Sequence, residues 1–232
     1  MLILTLMASV AFGLLAMTIC LPSMQEWGAF FGASQASVQL TFSAYVLMYG
    51  SMQLVYGPLS DRFGRKKLLL LGLALALVGS VLAALAPTLP LLTAARMVQG
   101  AGGAAGMVIG RSMVQALFEG PQRTKAMAYF GMVLGLCPPL ATVVGGQLHV
   151  RLGWQSNFVV MALVAALLMF SVWRSLPDTR QPTPPADHWL AGMLKAYARL
   201  AAEGRFRTYV MVLSFTSASF ATFLSGAPIV LA

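Results

Sequence analysis

The stretch YGPLSDRFGRKK, residues 56–67, places five charged residues within seven positions between two long apolar segments. Elsewhere the chain avoids charge: 59% of its 232 residues are hydrophobic and 9% are charged. This composition lies far from that of soluble domains and excludes a soluble enzyme. We therefore predict an all-α membrane protein in which this stretch connects two spanning helices.

A bilayer core requires about 20 apolar residues per helix. Seven runs qualify: residues 2–24, 37–60, 67–86, 91–113, 126–148, 156–176 and 208–232. The first run lacks the basic n-region of a signal peptide, so we expect it to be retained. The predicted organisation is a six-helix bundle (1–176), a cytoplasmic linker (177–207) and the first helix of a second bundle (208–232). We expect the chain to be part of a longer protein.

Lysine and arginine are concentrated in the loops on one side of the predicted membrane topology. The loops after spans two, four and six hold 13 of them, at positions 62, 65, 66, 67, 111, 123, 125, 174, 180, 195, 199, 205 and 207. The other side carries Arg151, and Arg96 lies within a span. The positive-inside rule predicts a cytoplasmic N-terminus. We interpret the net charge of +9 as orientation in the bilayer and expect no nucleic-acid partner.

The predicted linker begins with the Pro-rich LPDTRQPTPPAD and continues into HWLAGMLKAYARLAAEGRFR. The second part places Trp189, Met193, Tyr197 and Leu200 at helical spacing and its basic residues elsewhere. This pattern is typical of a basic amphipathic helix on the inner membrane surface. A tether between two bundles is an equally good interpretation.

The pattern G-x-L-x-x-R-x-G occurs at residues 57–64 and again at 146–153, each time between the second and third helix of a group of three. A three-helix repeat crosses the membrane an odd number of times, so its second copy is inverted. Inverted repeats are typical of secondary transporters. The pattern therefore favours a transporter built from two inverted halves of three helices.

The stretch GPLSDRFGRKK resembles the loop motif of the major facilitator superfamily, and ARMVQGAGGAAG and GLCPPLATVVGG resemble its fourth-helix and fifth-helix antiporter motifs. CLPSM, VQLTFSAYVL, FEG and FLSGAPIV are similar to the Bcr/CflA group of drug-resistance transporters. The resemblance implies a twelve-helix protein of the bacterial inner membrane, monomeric at full length. It implies export of small amphipathic drugs, such as chloramphenicol-like compounds, driven by the proton gradient and without a cofactor or metal.

The resemblance also implies roles for individual residues. Arg96 matches the fourth-helix arginine implicated in proton transfer; from the sequence alone, a snorkelling arginine at the interface is the alternative. The predicted gating loop forms a charge-relay latch and comprises Gly57, Asp61, Arg62, Gly64 and Arg65, with both glycines in tight turns. The predicted antiporter segment, in which the prolines bend the helix, comprises Gly135, Pro138, Pro139, Gly145 and Gly146.

Small residues at four-residue spacing predict close helix packing in a membrane. They are Gly102, Gly106 and Gly110 in helix four and Gly131 and Gly135 in helix five. Tyr45, Tyr49, Gln53 and Tyr56 share one face of helix two, which is either a packed interior stripe or a cavity wall. The candidate cavity residues are Thr18, Tyr45, Met48, Tyr49, Gln53 and Gln99.

None of the six acidic residues lies at the middle of a predicted span. The resembled group usually has an aspartate four residues before the proline of its LP motif, where this chain has Thr18. Either the coupling acid lies outside this chain, or coupling uses Arg96 with other groups, or proton coupling has been lost. A metabolite facilitator or symporter and an inactive truncated half-transporter are the alternative functions.

Overall fold

All regular secondary structure in the described part of the chain is α-helical. The computed structural model describes residues 2–177 and 189–230. The helices are α1 (Leu2–Thr18), α2 (Met24–Phe31), α3 (Gln35–Phe63), α4 (Arg65–Ala84), α5 (Leu89–Leu117), α6 (Gly120–Leu152), α7 (Gln155–Ser175), α8 (Trp189–Ala202) and α9 (Gly204–Val230). The chain divides into two units, Met1–Thr183 and Pro184–Ala232, which are described separately.

The predicted first span is shorter in the structure than in the sequence analysis. Helix α1 ends at Thr18, and the short helix α2 follows where a loop was expected. Pro22 has no N–H and therefore cannot donate to the carbonyl of Thr18. Instead, the N–H of Leu21 donates to the Thr18 carbonyl at 3.1 Å and closes a turn.

Three helices within the described residues are long enough and apolar enough to cross a bilayer, namely α4, α6 and α7. Helix α1 is apolar but has 17 residues. Helices α3 and α5 have 29 residues each, which corresponds to about 44 Å at 1.5 Å per residue. Their low mean hydropathy comes partly from polar side chains that face the bundle interior, such as Thr41, Arg96 and Gln99, which are 0% exposed.

Helix α5 lies at the centre of the first unit, packed against α1, α3 and α4. A Cβ added to Gly102 would meet the backbone of α4 at Gly72 and Ala76, and a Cβ on Gly106 would meet the Ser9 carbonyl of α1. A Cβ on Gly110 would lie 2.8 Å from Cγ2 of Val10. The predicted packing role of these three glycines is confirmed.

The same prediction was wrong for Gly131 and Gly135 in α6. A Cβ at either position would have no heavy atom within 4 Å. Both glycines lie on the exposed face of α6, which contacts the bundle mainly through the opposite face, against α1. Spacing alone does not show which face of a helix meets a neighbour.

The two copies of the repeated motif end in matching backbone junctions. Gly64 ends α3 with φ of 96°, and Gly153 ends α6 with φ of 83°. Each N–H donates to the carbonyl four residues earlier, that of Ser60 at 3.1 Å and that of His149 at 2.9 Å. These left-handed values favour glycine. The predicted turn at Gly57 was wrong, because Gly57 lies inside α3.

Helix α2 is held to α7 by an aromatic cluster and a buried polar contact. The ring of Trp27 lies 5.7 Å from that of Trp154 and 6.2 Å from that of Phe158. The side-chain amide of Asn157 donates to Oγ of Ser23 at 3.0 Å. We call the end of the bundle that contains α2 the α2 end.

The second unit contains α8 and α9. The predicted amphipathic segment forms α8, where Leu194, Lys195, Arg199 and Leu200 are exposed. The predicted seventh span corresponds to α9. The Pro-rich segment at 178–188 lies outside the described residues.

We predict that Gly106→Ala destabilises the protein by about 1–3 kcal/mol, because the new methyl group collides with the Ser9 carbonyl. Gly131→Ala is the matched control, since its Cβ meets nothing within 4 Å. The control should leave stability unchanged or raise it by up to about 1 kcal/mol. Thermal unfolding of the detergent-solubilised protein measures both, and equal effects would refute the packing assignment.

We also predict that Gly153→Ala destabilises the protein by about 1–3 kcal/mol, because alanine is strained at a φ of 83°. Gly57→Ala, in the first copy of the motif, is the control because it is helical and its Cβ meets no atom within 4 Å. Thermal unfolding again provides the measurement. A Gly153→Ala protein as stable as the control would contradict the junction geometry.

Candidate functional site

The most deeply buried charge in the described bundle is that of Arg96, about two turns into α5, with a side chain that is 0% exposed. Its Nη1 donates to the carbonyl of Ala16 at 2.6 Å, and its Nη2 donates to the carbonyl of Met17 at 3.3 Å. Both acceptors lie in the last turn of α1. The guanidinium therefore caps the C-terminal end of α1, where carbonyls lack partners within the helix.

A second set of hydrogen bonds connects Arg96 to α4. Nη1 of Arg96 also donates to Oε1 of Gln99 at 2.6 Å, and Nε2 of Gln99 donates to Oγ of Ser80 at 2.8 Å. Oγ of Ser80 in turn donates to the carbonyl of Ala76 at 2.7 Å. The chain of bonds runs from α1 through α5 to α4, and we call these side chains the Arg96 network.

Aromatic rings enclose the same guanidinium. Cζ of Arg96 lies 4.1 Å from the centroid of the Tyr45 ring and 5.9 Å from that of Phe158. The hydroxyl of Tyr45 donates to the carbonyl of Gly13 at 2.7 Å, and its ring stacks on Tyr49 at 5.9 Å. A desolvated cation–π contact contributes about 2 kcal/mol. Helices α1, α3, α5 and α7 therefore meet at Arg96.

Within the described residues Arg96 forms no ion pair with a carboxylate. Its charge is offset by the carbonyl end of α1, where the helix dipole is equivalent to about −0.5 of an elementary charge, and by the ring of Tyr45. Because the side chain is fully buried and bonded inward, the snorkelling interpretation was wrong.

The predicted cavity residues fall into two sets. Tyr45, Tyr49 and Gln99 are buried around Arg96, whereas Met48 and Gln53 are half-buried on α3. Thr18 follows Met17 at the end of α1: its side chain is 6% exposed, and its Oγ1 donates to the carbonyl of Leu14 at 2.9 Å. Thr18 thus satisfies its hydroxyl within its own helix.

The predicted gating loop is a junction of a single residue. Helix α3 continues to Phe63, α4 begins at Arg65, and Gly64 lies between them. Nη2 of Arg65 lies 3.5 Å from Oδ1 of Asp61, one helical turn earlier, and Cζ of Arg62 lies 5.5 Å from the ring of Phe63. The charged side chains are therefore attached to helix ends and are oriented by them.

The predicted antiporter segment lies within α6, which continues through Pro138 and Pro139. The hydroxyl of Thr142 donates to the carbonyl of Pro138 at 2.9 Å. Gly135 and Pro139 are exposed. The segment's other end packs closely on the turn between α1 and α2. There a Cβ on Gly145 would meet the Ile19 carbonyl, and one on Gly146 would lie 3.7 Å from Cγ of Pro22.

Ser80, Phe158 and the carbonyl acceptors in α1 also belong to the site and were not predicted from the sequence. Ser80 could have been found, because it is the one hydroxyl side chain in the apolar sequence of α4. Backbone carbonyls leave no trace in the sequence, since every residue carries one.

We predict that Gln99→Leu destabilises the protein by about 1–3 kcal/mol, because a buried charged donor loses an acceptor. In a protein that already carries Arg96→Met, Gln99→Leu should have little further effect on stability. The two side chains are in direct contact, so the bond between them is already lost. Gln53→Leu, at a half-buried glutamine of α3, is the control. Thermal unfolding of the four proteins of the cycle measures the coupling, and additive effects would rule out the bond.

Comparison with known proteins supports a membrane transporter. Residues 1–232 match the Major Facilitator Superfamily. The chain is 32% identical over 222 residues to multidrug resistance protein D of Escherichia coli (strain K12), covering 96% of this chain and 55% of that protein. It is 28% identical over 215 residues to the chloramphenicol resistance protein of Pseudomonas aeruginosa, covering 92% and 50%. The chain thus spans about half the length of these relatives.

A solved structure of the peptide transporter POT in complex with sulfate shares the fold. Its TM-score is 0.69 at 19% identity, covering 98% of this chain and 49% of that one. The helical bundle, the apolar helices and the family match along the whole sequence all indicate the same kind of protein. The chain is a multi-pass membrane protein and belongs to the Major Facilitator Superfamily.

Proposed function

We propose that this protein is a multidrug efflux transporter of the bacterial inner membrane that exports amphipathic drugs in exchange for protons by alternating access. The observation that carries the proposal is the similarity to multidrug resistance protein D, which extends over 96% of this chain. The similarity to the chloramphenicol resistance protein supports the same class of substrate.

The surface of α3 is suited to substrates of this class. Met48 and Gln53 are half-buried, and the exposed side chains beside them include Leu47 and Leu54. From Gln35 to Ser60, α3 carries no charged residue. A wall of thioether, amide and aliphatic groups binds flat apolar molecules without demanding a fixed charge. In this proposal Tyr45 and Tyr49, which are buried on α3, hold the helix in place in the bundle and do not contact the drug.

The proposed orientation places the junction at Gly64 in the cytoplasm and the α2 end outside. Arg62, Arg65 and the following two lysines then lie on the inner side, as the positive-inside rule requires. The contact of Arg65 with Asp61 supports a latch that closes the cytoplasmic side. The Asp61 side chain is 55% exposed and that of Arg65 is 10% exposed, so water reaches the pair from the aspartate side and can replace the contact during transport.

Arg96 is not the proton carrier in this proposal, because a guanidinium does not lose its proton in proteins. Its role is to hold the end of α1 in place through the carbonyls of Ala16 and Met17. The fixed positive charge also disfavours a second cation nearby. Proton exchange therefore requires a different, titratable group.

The test is drug susceptibility in an efflux-deficient bacterial host that expresses the product of the whole native reading frame. We expect raised resistance to chloramphenicol and other amphipathic drugs, and loss of that resistance when an uncoupler dissipates the proton gradient. An unchanged drug susceptibility, with the protein present in the membrane at normal abundance, would refute the proposal. If resistance persisted in the presence of the uncoupler, the protein would export drugs without proton coupling, and that part of the proposal would be wrong.

The latch has a separate test in the same host. Asp61→Asn should reduce resistance at least tenfold while membrane abundance stays normal, because the partner of Arg65 loses its charge. Glu119→Gln is the control, an exposed acid at the junction of α5 and α6. Wild-type resistance in the Asp61→Asn strain would refute the latch.

A further inference from the structure

A contact between a histidine and a carboxylate joins α6 to α2 at the α2 end of the bundle. Nε2 of His149 lies 3.1 Å from Oε2 of Glu26. The histidine side chain is 12% exposed and the glutamate side chain 72% exposed. The carboxylate therefore faces the surroundings while the imidazole is largely enclosed by protein.

The chemistry of imidazole makes His149 a candidate proton acceptor. Histidine is the side chain whose ordinary titration falls between about pH 5 and pH 8. A protonated ring at this position would interact favourably with the carboxylate of Glu26 and with the carbonyl end of α6, since His149 lies in its last turn. Its Nδ1 is buried without a partner among the described residues. The ring's favourable charge interactions therefore come from Glu26 and from α6 itself.

Few other charges surround the pair. On α6 the nearest in sequence is Arg151, which is exposed, and Glu26 is the only charged residue of α2. Helix α1, the last four turns of α4, and the first turns of α3 and α7 contain none. On α5 the first charge is Arg96, inside its own network. Few neighbouring charges would therefore oppose or mask a change in the charge of His149.

The pair lies one turn beyond the closest contact between α6 and the α1–α2 turn. That contact is made by Gly145 against the Ile19 carbonyl and by Gly146 against Pro22. The preceding residues Ala16 and Met17 carry the carbonyls that hold Arg96. A change in the attachment of α6 to α2 therefore acts directly on the segment that the Arg96 network holds in place.

We propose that His149, paired with Glu26, is a proton-binding site of the antiport cycle, at which an outside proton fastens α6 to α2. The inference rests on the proposed function and names the titratable group that it requires. The proton adds to the imidazole and no other bond changes. The attachment is strongest at acidic pH and is lost as the pH rises through the range in which imidazole loses its proton.

The first experiment measures this attachment without transport. The sequence contains two histidines, His149 and His188, so His188→Gln is a matched control. The melting temperature of the detergent-solubilised wild type should be higher at pH 5.5 than at pH 8, by roughly 2–4 °C. His149→Gln and Glu26→Gln should abolish the difference, and His188→Gln should keep it. A His149→Gln protein with the wild-type difference overturns the inference.

The second experiment measures drug-driven proton movement in proteoliposomes. His149→Gln should reduce it at least tenfold while binding of the drug is retained, and His188→Gln should behave as the wild type does. Absence of drug export by the wild type overturns the proposed function. Normal export with full proton exchange in His149→Gln overturns this inference and leaves the proposed function standing.

Discussion

The burial of one guanidinium within a membrane bundle is the constraint on which the rest of the structure depends. A charge within a membrane-spanning helix costs up to about 2.5–3.5 kcal/mol on insertion scales, so the donors of Arg96 need strong acceptors. The carbonyl end of α1 supplies two of them, which requires α1 to end at Thr18 and to lie against α5. That approach is possible because glycines line the contact: a Cβ on Gly13 would lie 2.8 Å from the carbonyl oxygen of Gly103. Burial of the charge and close helix packing therefore depend on each other.

The inverted repeat gives the bundle two similar junctions with different chemistry. Gly64 and Gly153 share a left-handed backbone and the same bond to the carbonyl four residues earlier. The repeat offset aligns Ser60, the acceptor at the first junction, with His149, the acceptor at the second. The first junction lies beside the charged pair of Asp61 and Arg65, and the second follows the histidine that contacts Glu26. In the proposed function one end of the bundle is thus latched by permanent charge and the other by a proton.

Local patterns predicted the helices well and their contacts less well. A helix lies at each predicted span, although the first is shorter than expected, and the packing of Gly102 and Gly106 was confirmed. Apolar length and small-residue spacing are properties of a single segment, which is why they could be predicted. Helix α2 was not predicted, because Pro22 indicated only that the first helix ends there. The assignment of Gly131 failed because the sequence does not show which side of α6 meets the bundle. The snorkelling alternative for Arg96 could be excluded only in the assembled bundle, since the acceptors of its side chain belong mainly to another helix.

The sequence by itself determined that the chain is a helical membrane protein, approximately where its long apolar helices lie, and to which family it is similar. These properties follow from hydrophobic length, from glycine and proline positions and from local motifs. Only the tertiary structure decided the partners of Arg96, the part played by Ser80 and the pairing of His149 with Glu26. Backbone carbonyls are alike at every position, and residues far apart in the chain meet only through packing. The site therefore became visible once the helices were assembled.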